Sequence, residues 1–285
     1  MMLRARSHGW LLSSPYLVYA AVFVVFPLAF SLYLVFHRWD GMAAPVFVGL
    51  GNLARLVQDP LFYRSILNTL EFLVIHIPLQ IVFALLFAVA LNSITWLRGF
   101  FRAVYFMPVV VSGVVVTILW QQLYSYDNGV LNTILTHLGL GRVPWVTSPA
   151  LAMPSIALMA TWKNVGLYTV MFLVGLQDIP AEMHEAARID GATAVKRFLR
   201  ITVPLLRPTM TLVVVLSTIN GFSLFVEPYV MTGGGPLNST LSTVLYIYNQ
   251  GFYFGHLGYG AALGFVFALI ILVVVLIQRK ALESA

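Results

Sequence analysis

Residues 185–208 read EAARIDGATAVKRFLRITVPLLRP, a charged, glycine-punctuated block between long apolar runs. Pro180 suits the first turn of a helix, and Asp178, Glu182 and Glu185 put negative charge where that helix has its positive dipole end. Met183, Ala186 and Ala187 share one small apolar face. Asp190-Gly191 predicts a stop, because glycine accepts the left-handed backbone that a helix C-cap demands. A second short helix is expected from about Thr193, with Val195, Phe198 and Leu199 on one face and Lys196, Arg197 and Arg200 around the rest, ending at Pro204.

The flanks decide the solvent. Hydrophobic residues make up 60% of the 285 and charged residues 9%, far below the quarter or so that soluble domains carry. Mean hydropathy is +0.90, so the chain cannot cover a core with polar surface and needs a bilayer around it. Apolar runs predict six spans, at residues 11–36, 69–91, 104–123, 151–176, 208–230 and 258–277, within a single transmembrane domain. The first run is too long for the h-region of a signal peptide and reads as a retained span. Pro78 is expected to kink the second span, not end it. Residues 124–149 are too polar to cross; Asp127-Asn128-Gly129 predicts a turn and 130–138 a short amphipathic helix.

Charge orients the spans. Arg4, Arg6, Arg98, Arg102, Arg188, Lys196, Arg197, Arg200, Arg207, Arg279 and Lys280 fall on one side, and Arg38, Arg55, Arg64 and Arg142 on the other. The positive-inside rule then puts both termini and the 178–207 loop in the cytoplasm. Trp10, Trp39, Trp96, Trp120 and Trp145 lie near span ends, as an interfacial belt requires. The net charge of +6 is scattered over short loops, not gathered on a face, so it argues for membrane topology and against nucleic acid. There is no cysteine, and the six histidines lack metal-ligand spacing.

Any inter-span loop can hold an amphipathic helix that lies on the headgroups. The residues of this one favour another use. Glu185-Ala186-Ala187, Asp190-Gly191-Ala192, Phe198, Ile201, Pro204 and Pro208 resemble, in order and spacing, the signature loop of ABC importer permeases, with Val203 where that family usually has leucine. Thr232-Gly233-Gly234-Gly235-Pro236 with Thr240, and the Arg102 to Pro108 stretch, look like the carbohydrate branch of maltose- and glycerol-phosphate-type permeases. The resemblance implies an all-α polytopic membrane protein of the type I importer permease fold, with six transmembrane helices and a cytoplasmic coupling helix. It also implies an inner-membrane location and partners: a second permease subunit, a dimer of ATP-binding subunits that hold the ATP and magnesium, and an extracytoplasmic solute-binding protein.

In this chain no ATP site is expected. The Gly233–Gly235 run lacks the Gly-Lys-Ser/Thr that closes a P-loop, and neither Lys nor Arg occurs between Arg207 and Arg279. That loop reads equally as a contact for a binding protein or as a connector. A solute path has better marks. At 100° per residue, Thr209, Ser217, Asn220, Ser223 and Glu227 form one polar stripe along span five, which must face helices or water. Span two offers Asn68, Thr69, Glu71, His76 and Gln80 over a broader arc, and span four Thr161, Trp162, Lys163, Asn164 and Tyr168. Amides, carboxylates and hydroxyls suit the rim of a sugar and aromatic rings its faces. Single Ser and Thr residues also serve as glue between spans. Lys163 has two open readings, a path-lining group or half of a structural ion pair.

The expected function is one half of the path of an ATP-driven, binding-protein-dependent importer for a small carbohydrate, with no catalytic residues in this chain. A permease for a peptide, phosphonate or polyamine is the alternative within transport. An ion-coupled secondary transporter would show a proton or sodium relay and inverted repeats. A membrane-embedded enzyme would show His-Glu-x-x-His, Gly-x-Ser-x-Gly or paired carboxylates in a span, and none occurs.

Overall fold

The computed structural model describes residues 12–93 and 98–284, so the expectations for Arg4, Arg6, Trp10 and Trp96 lie outside it. Among the described residues, five helices are long and apolar enough to cross a membrane, Leu12–Val35, Pro60–Asn92, Ala152–Gln177, Arg207–Met231 and Leu257–Leu282, or six if the bent pair Gly99–Val110 and Gly113–Leu123 counts as one span. The chain divides into two compact units.

The first unit comprises residues 1–62 and 246–269. It holds helix α1 (Leu12–Val35), a hairpin of the two-residue strands β1 (His37–Arg38) and β2 (Val46–Phe47), helix α2 (Gly51–Val57) and the first part of the last helix. β1 and β2 pair antiparallel, His37 opposite Phe47. Buried Asn52 ties α2 to the end of α1 by donating to the Val35 and His37 carbonyls at 2.9 and 3.0 Å. Asp59 accepts hydrogen bonds from the hydroxyls of Tyr246 (2.5 Å) and Tyr259. Burial works against its ionisation, but these phenols and the Leu61 and Phe62 N–H groups hold its carboxyl below the usual value.

The second unit comprises residues 63–245 and 270–285. Helix α3 (Pro60–Ser93) enters it already formed and continues through Pro78, nine residues longer at its start than the expected span from 69. The expected span at 104–123 is not one helix. α4 (Arg98–Val110) stops and α5 (Gly113–Leu123) leaves it at 96°. Pro108 removes a backbone donor near the end of α4, and Ser112 turns to an extended backbone (φ −50°, ψ 127°) that restarts the chain in a new direction.

After the turn come α6 (Val130–His137) and α7 (Ala152–Gln177), then α8 (Ala181–Ile189) and α9 (Ala194–Arg197). Pro180 lies just before the first turn of α8, not in it. Pro204 does not end the second helix of the charged block as expected. α9 runs on through a wide turn at Phe198–Thr202, where Val203 N–H reaches back five residues to Phe198 O, and then through Val203–Leu205. That wide turn reconciles the helix with a proline that cannot donate to its own fourth residue back. α10 (Arg207–Phe222) follows, then α11 (Val226–Met231), α12 (Thr243–Tyr248) and α13 (Leu257–Ser284).

The core of the second unit gathers Ala84, Ala88 and Leu91 of α3, Val165, Tyr168, Phe172, Leu173 and Leu176 of α7, and Leu206 and Val213 at the start of α10. Leu206 adjoins the charged block directly, so the block is anchored in the helix core.

The 124–149 segment folds around one side chain. Asn132 is 1% exposed. Its amide donates to the Tyr126 and Val143 carbonyls (3.1 and 3.0 Å) and accepts from Val143 N–H and Trp145 Nε1 (2.9 and 3.1 Å). Asn132→Ala leaves those part-buried groups without their partner, a loss of about 1–3 kcal/mol. The expected result is faster tryptic cleavage at exposed Arg142 in the purified protein; an unchanged rate would show that the segment is held elsewhere.

Candidate functional site

The two motifs singled out in the sequence occupy different levels of the second unit. The charged block is a helix with a defined end. Gly191 has φ +74°, its N–H donates to Arg188 O (3.1 Å), and Ala192 N–H donates to Ala187 O (2.9 Å), the paired bonds of a Schellman cap. Thr193 then caps α9 by accepting from Lys196 N–H (3.3 Å), and Arg197 Nη1 donates to Ala192 O (2.8 Å). None of residues 181–189 is buried. Met183 is 47% and Ile189 87% exposed, while Glu185, Ala186 and Asp190 are exposed and Ala187, Ala192, Phe198 and Ile201 half-buried. Pro204 is exposed, on the turn before Leu206 enters the core.

Farther along α7 and α10 lies a cavity of about 250 Å³ lined by Phe72, His76, Ala160, Lys163, Asn164, Leu167, Tyr168, Asn220, Gly221, Ser223, Leu224, Val226 and Glu227. Of the residues expected on a path, it brings together His76, Lys163, Asn164, Tyr168, Asn220, Ser223 and Glu227. Lys163 Nζ and Glu227 Oε1 form an ion pair at 3.0 Å, with side chains 17% and 11% exposed. The pair is structural and also faces the cavity, so the two readings of Lys163 are not exclusive.

Three local features place this pair. The stripe on span five is broken: α10 ends at Phe222, and Phe225 (φ −140°, ψ −57°) precedes the restart at Val226. Glu227 therefore sits in the first turn of α11, where a carboxylate suits the helix dipole. α11 packs on α5, and a Cβ at Gly113, the first residue of α5, would lie 2.9 Å from Lys163 Nζ. Glycine there leaves the ammonium room.

The other polar groups are arranged for exchange. Asn220 Nδ2 donates to the Tyr168 hydroxyl at 3.1 Å, leaving the tyrosine O–H free to donate elsewhere. His76 Nδ1 is 2.8 Å from Thr161 Oγ1, and its ring stacks on Phe72. Ser223 Oγ donates back to Ile219 O.

Four expected path residues lie away from the cavity. Asn68 is committed to a loop, donating to the Asn238 and Leu241 carbonyls at 2.7 and 3.0 Å, beside Thr232 and Thr240, whose hydroxyls are 2.6 Å apart. Glu71 is exposed on α3. Trp162 is 46% exposed and packs against Trp120 on the other side of α7. Ser217 is buried below the cavity and donates to Gln80 Oε1 at 3.4 Å. The apolar part of the wall, Phe72, Ala160, Leu167, Gly221, Leu224 and Val226, carried no chemical mark of its own in the sequence. Their signal was position: each lies within four residues of a polar residue already singled out on its helix.

Residues 80–281 match the family described as binding-protein-dependent transport system inner membrane component. The chain is 38% identical over 278 residues to the lactose transport system permease protein LacF of Rhizobium radiobacter, covering 95% of this chain and 92% of that one. It is 36% identical over 283 residues to the arabinooligosaccharides transport system permease protein AraP of Bacillus subtilis, covering 96% and 88%. A chain from a crystal structure of a bacterial ABC transporter involved in import of the acidic polysaccharide alginate superposes with a TM-score of 0.83 at 24% identity, covering 99% of this chain and 98% of that one. That likeness establishes the fold.

Proposed function

Because the chain belongs to the family of binding-protein-dependent transport system inner membrane components, we propose that it forms one wall of the path by which an ATP-driven importer admits a saccharide. The observation that carries this reading is the cavity at the break between α10 and α11, where Asn164, Tyr168, Asn220 and the Lys163–Glu227 pair stand beside Phe72. Amide, hydroxyl and charged groups hydrogen-bond to the rim of a sugar, and the phenyl ring covers an apolar face. The names of relatives that import lactose and arabinooligosaccharides support the same solute class.

The charged block is then the coupling element. The balance of Lys and Arg supports a cytoplasmic position for it and for both termini. Its exposed Met183 and Ile189 suit a groove on an ATP-binding subunit, and Leu206 links its far end to the core beneath the cavity. A second permease supplies the opposite wall, and an extracytoplasmic binding protein delivers the solute. ATP and magnesium belong to the partner ATPase; this chain contributes docking, positioning and the polar wall.

The test is uptake and ATP hydrolysis by the importer reconstituted with its partner subunits and binding protein. Neutral sugars are expected to stimulate hydrolysis and to accumulate. Stimulation by amino acids or polyamines and by no sugar would overturn the saccharide reading. Uptake by this chain alone under an ion gradient would overturn the coupling.

A further inference from the structure

Among the described residues, the charged side chains that line the cavity are Lys163 and Glu227, and they are bound to each other. One ammonium and one carboxylate 3.0 Å apart give the wall no net charge but leave both signs within reach of a ligand. Geometry leaves the pair unsaturated: Lys163 donates one N–H to Oε1, so two donors and the second carboxylate oxygen remain. Tyr168 adds a free hydroxyl proton. A hydroxyl is donor and acceptor at once and bridges the two heads without disturbing them. Because the two heads are bound to each other, neither offers a free countercharge, and a carboxylate or an ammonium on the solute gains no net attraction to repay its own dehydration.

We infer that the Lys163–Glu227 pair is a charge filter, fitting this cavity to uncharged polyhydroxy solutes and turning away sugar acids and amino sugars. The inference rests on the cavity being the solute site and narrows the class that the site takes. It also explains the cost of holding two ionised groups inside a membrane protein, which apolar packing would avoid. The position supports it: Gly113 makes room for the ammonium and the first turn of α11 holds the carboxylate, so the pair stays fixed at the cavity wall.

The test uses the assembled importer in nanodiscs without binding protein, so that selectivity is that of the permease. Saturation-transfer NMR reads binding of glucose, glucuronate and glucosamine as probes. The wild type is expected to favour glucose over both charged sugars by at least tenfold. Glu227→Gln frees the positive charge and moves the glucuronate-to-glucose ratio up by at least tenfold; Lys163→Gln frees the negative charge and moves the glucosamine ratio up instead. The exchanged pair, Lys163→Glu with Glu227→Lys, restores neutrality and the wild-type preference, and covers the case where a single variant fails to assemble. Loss of stability alone would lower all three signals together. Equal binding of glucose and glucuronate by the wild type, or ratios unmoved in the variants, overturns the filter while leaving the saccharide site in place. Absence of any sugar signal from the wild type overturns the site and the filter with it.

Discussion

A Gly191→Val importer is expected to hydrolyse ATP without accumulating solute, while its affinity for the loaded binding protein stays at the wild-type level. The cause lies in the backbone. Gly191 holds φ at +74°, and a Cβ built there meets nothing within 4 Å, so valine has space but not the conformation. A left-handed residue costs about 1–2 kcal/mol for an ordinary side chain, and a β-branched one is worse placed still. The cheaper outcome is loss of the cap: the Ala192-to-Ala187 and Gly191-to-Arg188 bonds open, and the exit from α8 to Thr193 changes direction. None of residues 181–189 is buried and only His184 and Ala187 are half-buried, so little packing among the described residues holds α8 in place once the cap is gone. Motion of a docked ATPase would then no longer reach Leu206 and the core. Gly191→Asn separates this from any effect of side-chain size, because asparagine tolerates the left-handed region. It is expected to retain most of the uptake. Normal uptake in the valine variant, or equal failure of both variants, would show that the cap is not what transmits the motion. Glu185→Lys should give the same uncoupling by reversing an exposed charge at the middle of α8, on the surface it offers to a docked ATPase.

The cap was legible because everything that builds it is local: Asp190-Gly191-Ala192, a helix of nine residues and a threonine two places beyond the glycine. Most spans were legible for a similar reason, since twenty apolar residues in a row have few other uses. The breaks were not. Val109-Val110-Val111 continues the apolar run straight across the 96° bend, and hydropathy has no direction; Pro108 and Ser112-Gly113 were the marks it left. In span five the helical wheel itself concealed the break, because continuing 100° per residue past Phe222 happened to set Glu227 in line with Asn220. The ion pair was half legible. Lys163 stood out as the most internal charge, but its partner lies 64 residues away on another helix, and only the packed structure shows the distance. Span two was read too broadly for a related reason. Asn68, Glu71, His76 and Gln80 are all polar, yet one serves a loop, one faces outward and one contacts Ser217, leaving His76 at the cavity.

Gly166→Leu is expected to abolish the assembled permease, with no monodisperse complex on size-exclusion chromatography after extraction. Gly166 is buried on α7 where α4 crosses it, and the Tyr105 carbonyl oxygen occupies the place a Cβ would take, with Phe106 Cα 3.3 Å away. Small residues let membrane helices approach backbone to backbone, and no rotamer relieves a clash with a main-chain carbonyl. The helices must separate, and the cost reaches or exceeds the upper end of the roughly 1–3 kcal/mol usual for overpacking. Separation does not stay local. Tyr105 stacks on Phe87 at 4.8 Å and, with Phe101, packs against the core that holds Leu206. α4 also leads directly into the bend before Gly113, so moving it shifts the residue that makes room for Lys163 Nζ. Gly166→Ala separates close approach from bulk: because the first added carbon already collides, alanine should also reduce assembly, whereas Leu158→Ala, a larger deletion at an exposed position of the same helix, should not. Wild-type assembly of the alanine variant would mean that α4 can yield at Tyr105, and the rigid link from the core to the cavity would then have to run through α7 and α10 without it.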